Sequence, residues 1–412
     1  MFIGIDDTDS LSRFCTTYLC SILKSRLKKE GYEVSIPRLI RLNPNIPFKT
    51  RGNGAVSLEI KGDMNDEIIE ISIKTLEEFS DFDDPNTNPG IVFCNKIQEN
   101  MVRFSVRALH EVISLKEALK IIKNSKCESF GYKNKRGIIG ALASIAFPLY
   151  DYTYELLAYR KAENWNSRRY IDRESVKRLN HFTFDNYDYE SDKIVIAPNG
   201  PDPVLFGIRG EDLWSLRKSL ETIKCEDYDF YEVFLTNQAT DAHIRKAKNH
   251  NINEYDSVEL TGFVTKDPWV IKKGHTFFEV DGILCSAFEP TGDFRKKIRH
   301  LKEGDKVRVF GGVKKGTINL EKIEIIDLVE ILERKNPICC GKRMKSEGRG
   351  KGFQCKVCKK KKAEDERAII KLPRKIEKGY YEVCPSARRH LARPLSRMFV
   401  HYKNPWQREG YH

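Results

Sequence analysis

Phe2-Ile3-Gly4-Ile5-Asp6-Asp7-Thr8-Asp9-Ser10 opens the chain as a short apolar strand that runs directly into three carboxylates. Outward from it, the hydrophobic period alternates between two and 3.6 residues. It predicts strands at 2–5, 34–41, 55–60 and 91–94, with helices at 16–30 and 66–79. That β-α-β-β-α-β order is the pattern of a ferredoxin-like arrangement. Helical periodicity continues over 100–123, and a glycine-punctuated stretch at 131–140 begins a second α/β block that reaches about residue 249.

From Ser257 the texture changes to short alternating runs at 258–264, 275–280, 283–288, 306–313 and 317–325, with Gly at the bends. Five such strands predict a small closed barrel, read here as an OB-fold, an architecture that often binds oligonucleotides. The expected class is therefore multidomain α+β: two α/β (ferredoxin-like) N-terminal domains, an OB-fold β-barrel, a zinc ribbon and a basic C-terminal tail. The corresponding boundaries are 1–125, 126–252, 255–332, 333–365 and 366–412.

Composition bounds the partners. The 412 residues exceed what one ordinary core holds, and 72 Lys and Arg stand against 59 Asp and Glu, a net charge of +13. From Glu333 to His412 there are 23 basic and 8 acidic residues, so the excess lies in the last fifth of the chain and the remainder is nearly neutral. A basic block of that density points to a polyanion. The eleven cysteines are scattered, and Met1-Phe2-Ile3-Gly4 lacks a basic region and a cleavage site, so a reducing cytoplasm is expected. No uninterrupted apolar run approaches the ~18 residues of a membrane span, and mean hydropathy is −0.52. Membrane roles are set aside.

Within the basic block, Cys339-Cys340-Gly341 is followed by Cys355-Lys356-Val357-Cys358. The second limb is the knuckle of a zinc ribbon, whose amides support thiolates. The first limb lacks spacer residues. Adjacent side chains of an extended strand point apart, so joint ligation by Cys339 and Cys340 requires a bend there, and Cys384 is an alternative fourth ligand. The segment is either a zinc site or a ribbon that has lost its metal and keeps its thiols.

Lys342, Arg343, Lys345, Arg349, Lys351 and the run Lys359-Lys360-Lys361-Lys362 surround these cysteines, a concentration suited to neutralising phosphates. Further on, Arg389, Arg393 and Arg397 are spaced by four. They form one basic stripe if the segment is helical, although Pro394 would kink it; a disordered tail is the other reading.

The acidic turn admits two readings. Carboxylates gathered at a strand end can hold Mg²⁺ and, through it, nucleotide phosphates, while the helix starting near Cys15-Thr16-Thr17 turns amides and hydroxyls toward the same point. The alternative is an Asx-rich turn before a capped helix. The loop at 41–54 adds Lys49, Arg51, Gly52, Asn53 and Gly54, cations and close backbone approach of the kind a triphosphate needs. In the second block, the polar clusters at 200–210 and 234–243, with Glu155, Tyr159 and Arg160, either line a pocket for a small cation or form ordinary turns and an interdomain seam. His243 alone carries no message.

Taken in order, several motifs resemble those of the archaeal isoleucine-tRNA agmatinylcytidine synthetases. They are Gly4-Ile5-Asp6-Asp7-Thr8-Asp9-Ser10 with Cys15-Thr16-Thr17, Arg51-Gly52-Asn53-Gly54, Thr87-Asn88-Pro89-Gly90, Arg136-Gly137-Ile138-Ile139-Gly140-Ala141, Gly200-Pro201-Asp202-Pro203-Val204, Thr236-Asn237-Gln238-Ala239-Thr240-Asp241 and Pro385-Ser386-Ala387-Arg388-Arg389-His390-Leu391. The resemblance covers nearly the whole chain.

It implies an atypical kinase domain, a ferredoxin-like agmatine-binding domain, an OB-fold and a zinc ribbon. In such an enzyme ATP phosphorylates the C2 oxygen of the wobble cytidine of the isoleucine tRNA with a CAU anticodon, and agmatine's primary amine displaces the phosphate, changing decoding from AUG to AUA. Under this resemblance Asp6, Asp7, Asp9 and Thr16 are catalytic, with Thr16 the threonine that becomes phosphorylated. Thr8, Lys49, Arg51, Gly52, Asn53 and Gly54 serve ATP, and Glu155, Asp202 and Asp241 serve agmatine. Zn²⁺ falls to Cys339, Cys340, Cys355 and Cys358, Mg²⁺ to the acidic turn, and tRNA to Lys359, Lys360, Arg389, Arg393 and Arg397. The first cysteine limb departs from the spacing usual in that family. Two other readings stay open: a metal-dependent nuclease built on the acidic turn, and a non-catalytic RNA-binding protein built on barrel and ribbon.

Overall fold

A computed structural model describes residues 1–10, 13–49, 52–198, 200–247 and 251–398. Its first half is built on strands β1 (Phe2–Asp6), β2 (Arg38–Arg41), β3 (Gly54–Glu59), β4 (Gly90–Cys94) and β5 (Glu128–Gly131), interleaved with helices α1 (Thr16–Lys29), α2 (Asp66–Glu78), α3 (Glu99–His110), α4 (Leu115–Asn124) and α5 (Gly137–Ala146). Alternation along the strands decides the layering. Ile3, Ile5, Ile91 and Phe93 face Leu19, Leu23, Ile68 and Leu76 of α1 and α2. Val92 and Cys94 face the opposite way, into a core with Phe104 of α3 and Leu142 of α5. The expected elements are present, with β2 shortened to four residues because Val34 makes only an isolated bridge, to Ile60.

The α5 helix crosses β1 at backbone contact. A Cβ added to Gly4 would collide with the carbonyl oxygen of Ala141. Only glycine permits this approach, which puts the N-terminal end of α5 beside the acidic turn.

The second block contributes β6 (Thr153–Arg160), α6 (Arg173–Leu179), β7 (Val204–Gly210), α7 (Leu213–Thr222) and β8 (Tyr228–Thr236). Two ferredoxin-like units imply two sheets. Instead the strands join into one eight-stranded sheet of order β5-β4-β1-β3-β2-β8-β6-β7. The junction is a short parallel pairing of β8 with β2, Leu235 opposite Arg38 and Thr236 opposite Leu39. Asn237 secures it, accepting from the backbone N–H of Arg41 at 2.8 Å and donating to its carbonyl at 2.9 Å.

Five strands then close a barrel: β9 (Ser257–Val270), β10 (Thr276–Val280), β11 (Ile283–Ala287), β12 (Lys306–Lys314) and β13 (Thr317–Asp327). Each corresponds to one of the five expected runs. A later strand, β14 (Gly379–Glu382), adds to the edge of β13. Among the described residues no helix is long and apolar enough to cross a membrane. The cysteines are not all thiols: Cys94 and Cys127 form a disulfide, because the β4–β5 pairing sets the two chain segments side by side, with Cα atoms 4.6 Å apart.

The C-terminal basic segment also differs from expectation. It is not one helix; a single turn of 3-10 helix at Pro385–Ala387 and a four-residue helix at Leu395–Met398 flank Pro394. The segment threads the seam between barrel and sheet, where acids meet it. Arg388 pairs with Asp185 and Glu382, Arg389 with Asn45 and Glu321, and Arg393 with Asp151. Arg397, only 1% exposed, pairs with Asp151 at 2.6 Å and Glu211 at 2.6 Å. The spacing by four therefore reflects three inward anchors, not an exposed stripe. The part of the expected tail at 399–412 lies outside the described residues. Arg397→Ala should lower unfolding free energy in denaturant by roughly 3 kcal/mol or more, since it strips Asp151 and Glu211 of a buried partner.

Candidate active site and metal centre

The acidic turn is shaped by three contacts. Asp6 ends β1 with its carboxyl against α5, so close that a Cβ on Gly140 would collide with Asp6 Oδ2. Asp7 adopts a left-handed backbone, φ +59°, a conformation that aspartate tolerates better than bulkier residues. Its carboxylate receives Nε and Nη2 of Arg136 at 3.2 and 2.9 Å. Asp9 takes the capping role that Cys15 leaves empty: its Oδ1 accepts from the Thr16 N–H at 2.6 Å and the Thr16 hydroxyl at 2.9 Å. The Thr8 hydroxyl in turn donates to Thr16 Oγ1 at 3.0 Å.

The turn caps the helix and gathers its carboxylates at one place. It is an Asx-type cap, and it is also a carboxylate cluster. Asp6, Asp7 and Asp9 line a cleft together with Lys49, Asn53, Gly54, Glu111, Arg136 and Gly140. Burial pushes the Asp6 carboxyl well above the ordinary carboxylate range, and the neighbouring Asp7 charge adds to it. Burial also raises Asp7 to about 6, against the opposing pull of Arg136. Carboxylates held back from ionisation in this way are poised to ionise on meeting a cation.

Of the loop residues read as nucleotide contacts, Lys49, Asn53 and Gly54 reach this cleft. Thr8 stands behind it through Thr16, and Gly52 lies against the side chains of Arg41 and His390. Arg51 is outside the described residues. Sequence reasoning gives no role to Arg136 and Glu111, nor to Thr87, whose hydroxyl donates to the Asp9 carbonyl at 2.6 Å. Arg136 and Thr87 belong to motifs quoted above, so their signal is present in the sequence without a role attached.

The three carboxylates assigned to a small cation separate. Glu155 is buried on β6 and accepts from Gln238, while Asp202 is buried and held by Arg169 at 3.3 Å. Burial, then the charges of Asp9 and Asp202, push the Cys15 thiol up to about 12, so Asp202 faces the start of α1. Asp241 does not join them; Lys322 Nζ at 2.5 Å and the Arg393 N–H at 2.7 Å hold it in the barrel seam. Tyr159 and Arg160 are both buried. Adjacent strand residues face opposite ways, so Tyr159 enters the aromatic cluster of Tyr18 and Phe230, and Arg160 pairs with Glu226 at 2.7 Å. His243 is buried against Glu321 at 3.0 Å.

In the ribbon, the sulfurs of Cys339, Cys340, Cys355 and Cys358 all lie within 4.8 Å of one another. The bend that adjacent ligands require is present: Cys340 has φ +50° and Gly341 φ +73°. Cys384 is remote from them, directed at the Pro290 carbonyl. The backbone amides of Cys358 and Val357 hold the Cys355 thiol down to about 7. Four converging thiols, one already stabilised as thiolate, fit tetrahedral zinc. Lys359 and Lys360 stand exposed beside this cluster.

What fold and site define together is a modular enzyme-like chain: a carboxylate-and-cation cleft on a shared sheet, a barrel, and a thiolate ribbon carrying exposed lysines. Family models match along it as the TiaS TCKD domain over residues 2–134, the TiaS FLD domain over 135–243 and the TiaS C-terminal zinc ribbon domain over 336–376. The chain is 46% identical over 413 residues to the isoleucine-tRNA 2-agmatinylcytidine synthetase TiaS of Archaeoglobus fulgidus, covering 97% of this chain and 98% of that protein. It matches the solved structure of apo TiaS, an isoleucine-tRNA agmatidine synthetase, with TM-score 0.91 and 44% identity, and that of TiaS in complex with its isoleucine tRNA, AMPCPP and agmatine with TM-score 0.87 and 42% identity. Both matches cover 97% of this chain and 98% of the other. The chain belongs to the TiaS family.

Gly140→Ala should leave the fold measurable by circular dichroism but displace Asp6, and nucleotide affinity should fall by at least about tenfold. Metal analysis should find one zinc per chain, and Cys355→Ser should lose it.

Proposed function

We propose that this chain is an ATP-dependent ligase that transfers agmatine to C2 of the wobble cytidine of an isoleucine tRNA with a CAU anticodon, acting in the cytoplasm. Family membership over the full chain supports the activity, and a relative has been solved with its isoleucine tRNA, an ATP analogue and agmatine. The observation that carries the mechanism is the Asp9–Thr16 pair: a buried hydroxyl donating at 2.9 Å to a carboxylate, at a helix start beside the cleft of Asp6 and Asp7.

In this reading ATP lies with its phosphates between Lys49, the backbone of Asn53 and Gly54, and the acidic turn. Mg²⁺ held by Asp6 and Asp7 would neutralise phosphate charge there. Asp9 orients the Thr16 hydroxyl and can take its proton, the arrangement of an activated nucleophile, so Thr16 is the residue that accepts a phosphoryl group. A second phosphoryl transfer places phosphate on the cytidine O2. A carbonyl oxygen leaves poorly and phosphate leaves well, so the amine of agmatine then displaces it. Glu155 and Asp202 offer the carboxylates for agmatine's cationic ends.

The architectural units follow the same reading: a kinase-type domain over about 1–125, a ferredoxin-like agmatine domain over 126–252, an OB-fold over 255–332, a zinc ribbon over 333–365 and a basic segment over 366–412. The first sheet half has the order β4-β1-β3-β2 and the barrel is closed by β9–β12 pairing, which support the ferredoxin-like and OB descriptions. The tRNA is gripped by the barrel and by the ribbon, with Lys359 and Lys360 contacting phosphates. Arg389, Arg393 and Arg397 serve by fixing the seam that this grip requires.

The deciding assay mixes protein, tRNA transcript, ATP and labelled agmatine. Label on the RNA, dependent on ATP, is expected; its absence defeats the proposal, and ATP-independent strand cleavage would favour a nuclease instead. The pH dependence follows from the raised carboxyls. Without a bound cation the Asp7 carboxyl keeps its proton up to about pH 6 and Asp6 is likewise pushed up by burial, so the native state binds more protons than the unfolded one and stability falls as pH rises from the ordinary carboxylate range toward the raised value of Asp7. A divalent cation reverses this. Mg²⁺ should therefore raise Tm more at about pH 7.5 than at about pH 5.5, and Asp7→Asn should remove most of the difference.

A further inference from the structure

The barrel carries one row of residues on its outer face, running from the acidic cleft to an open edge. Gly312 of β12 stands opposite Asn319 of β13, Asn319 opposite Ser286 of β11, Ser286 opposite Phe277 of β10, and Phe277 opposite Trp269 of β9. Their neighbours along the strands, Val313, Ile318, Cys285 and Phe278, point the other way into the barrel core. A Cβ on Gly312 would collide with Asn45 Oδ1, so the row begins against the 41–54 loop that walls the cleft. It then crosses all five strands, roughly 20 Å of barrel surface.

The far end of the row is aromatic. The Trp269 and Phe277 rings lie 21° from parallel with centroids 6.0 Å apart, and Phe288 meets Phe277 edge-on at 6.2 Å. Phe288 is 38% exposed, and Val270 and Ile271, which follow Trp269, are more exposed still. A cross-strand aromatic pair can do no more than stiffen its hairpin. The charges around this one point to an occupant. Lys266 Nζ sits 4.4 Å from the Trp269 ring centre, a cation on a π face. The acids at hand are already matched, Glu279 by Lys266 at 3.5 Å and Glu289 by Arg295 at 3.4 Å. Lys272 and Lys273, exposed in the turn between β9 and β10, have no acidic partner among the described residues. Lysines interleaved with rings suit a polyanion that also carries flat apolar surfaces; a protein partner is disfavoured, since the cores of protein interfaces are depleted in lysine.

We propose that Trp269, backed by Phe277 and Phe288, is a stacking platform for an unpaired base of the anticodon loop, close to the base that reacts. This rests on the ligase reading above, which places the wobble cytidine in the acidic cleft. The row starts at the wall of that cleft and ends roughly 20 Å away. The unpaired bases within that compass are those of the same loop, whereas the 3′ end lies at the opposite extremity of a tRNA. An incoming base takes the place of the Lys266 ammonium on the indole, and that side chain, more than half exposed, carries its charge to the adjoining phosphate. Stacking reads no base edge, so the platform holds the loop whatever base it presents and leaves the choice of base to the cleft.

The test is equilibrium binding of the full chain to the tRNA transcript and to its anticodon stem-loop alone, without ATP or agmatine. Trp269→Ala should weaken both by roughly tenfold or more, the loss of one base stack, and Trp269→Phe should restore most of it. The slope of log Kd against log salt should stay unchanged in both variants, because no phosphate contact is removed. Abasic sites placed one at a time beside the wobble cytidine should find a position at which the wild-type chain loses as much affinity and Trp269→Ala loses nothing further. Phe288→Ala, at the exposed edge, serves as the second variant should Trp269→Ala fold poorly by circular dichroism. Undiminished binding of the stem-loop by the alanine variants overturns the proposal. So does a loss confined to the full transcript, which would put the stacked base in another unpaired segment, and so does a wild-type dimer that Trp269→Ala dissolves, which would assign the face to a second copy of the chain. Failure of the wild-type chain to bind the transcript at all defeats the reading on which the platform rests, and that arm is scored separately.

Discussion

The contact on which the site depends is the backbone-to-backbone packing of α5 on β1. A helix normally rides on a sheet at the distance set by interposed side chains. Here Gly4 and Gly140 remove those side chains, and the helix start drops onto the strand end until the carboxyl of Asp6 is enclosed. Burial then makes Asp6 and Asp7 reluctant acids, and Arg136, carried at the foot of the same helix, partly compensates Asp7. The acidity of the turn is a consequence of how close two backbones come.

A second dependence is the thin seam at Asn237. One side chain closes a two-residue parallel pairing and makes eight strands one sheet. The loop that follows it, at 236–241, then receives the C-terminal segment, through Ala239 and Asp241. The last motif of the chain is thereby returned to the first loop, with Arg389 touching Asn45 and His390 beside Gly52. The barrel and the sheet are clamped by buried charges at the same place: His243 with Glu321, Lys322 with Asp241.

Elements with a clean period were legible in the sequence. The β1–β4 strands, α1, α2 and all five barrel strands fall where alternation or helical spacing puts them. The acidic turn was legible as a place where carboxylates gather because Asp6, Asp7 and Asp9 follow an apolar strand directly, and its capping of the next helix was the other reading open there. What was not legible depended on partners far along the chain. Nothing near Arg38–Arg41 announces a neighbour almost two hundred residues away. Arg397 reads as solvated until Asp151 and Glu211 are placed against it, and Asp241 reads as a free carboxylate until Lys322 arrives. Cys339-Cys340 looks defective while strand geometry is assumed, and a left-handed residue at Cys340 removes the objection.

The continuous sheet also sets a fixed scale across the protein. Asp6 on β1 and Glu155 on β6 are four strand spacings apart, roughly 19 Å, and Arg41 on β2 marks the midpoint. Hydrogen-bonded strands do not slide or hinge as separate domains do. The interval between the acidic turn and Glu155 is therefore a constant of the fold, and any ligand that engages both has to be long enough to span it.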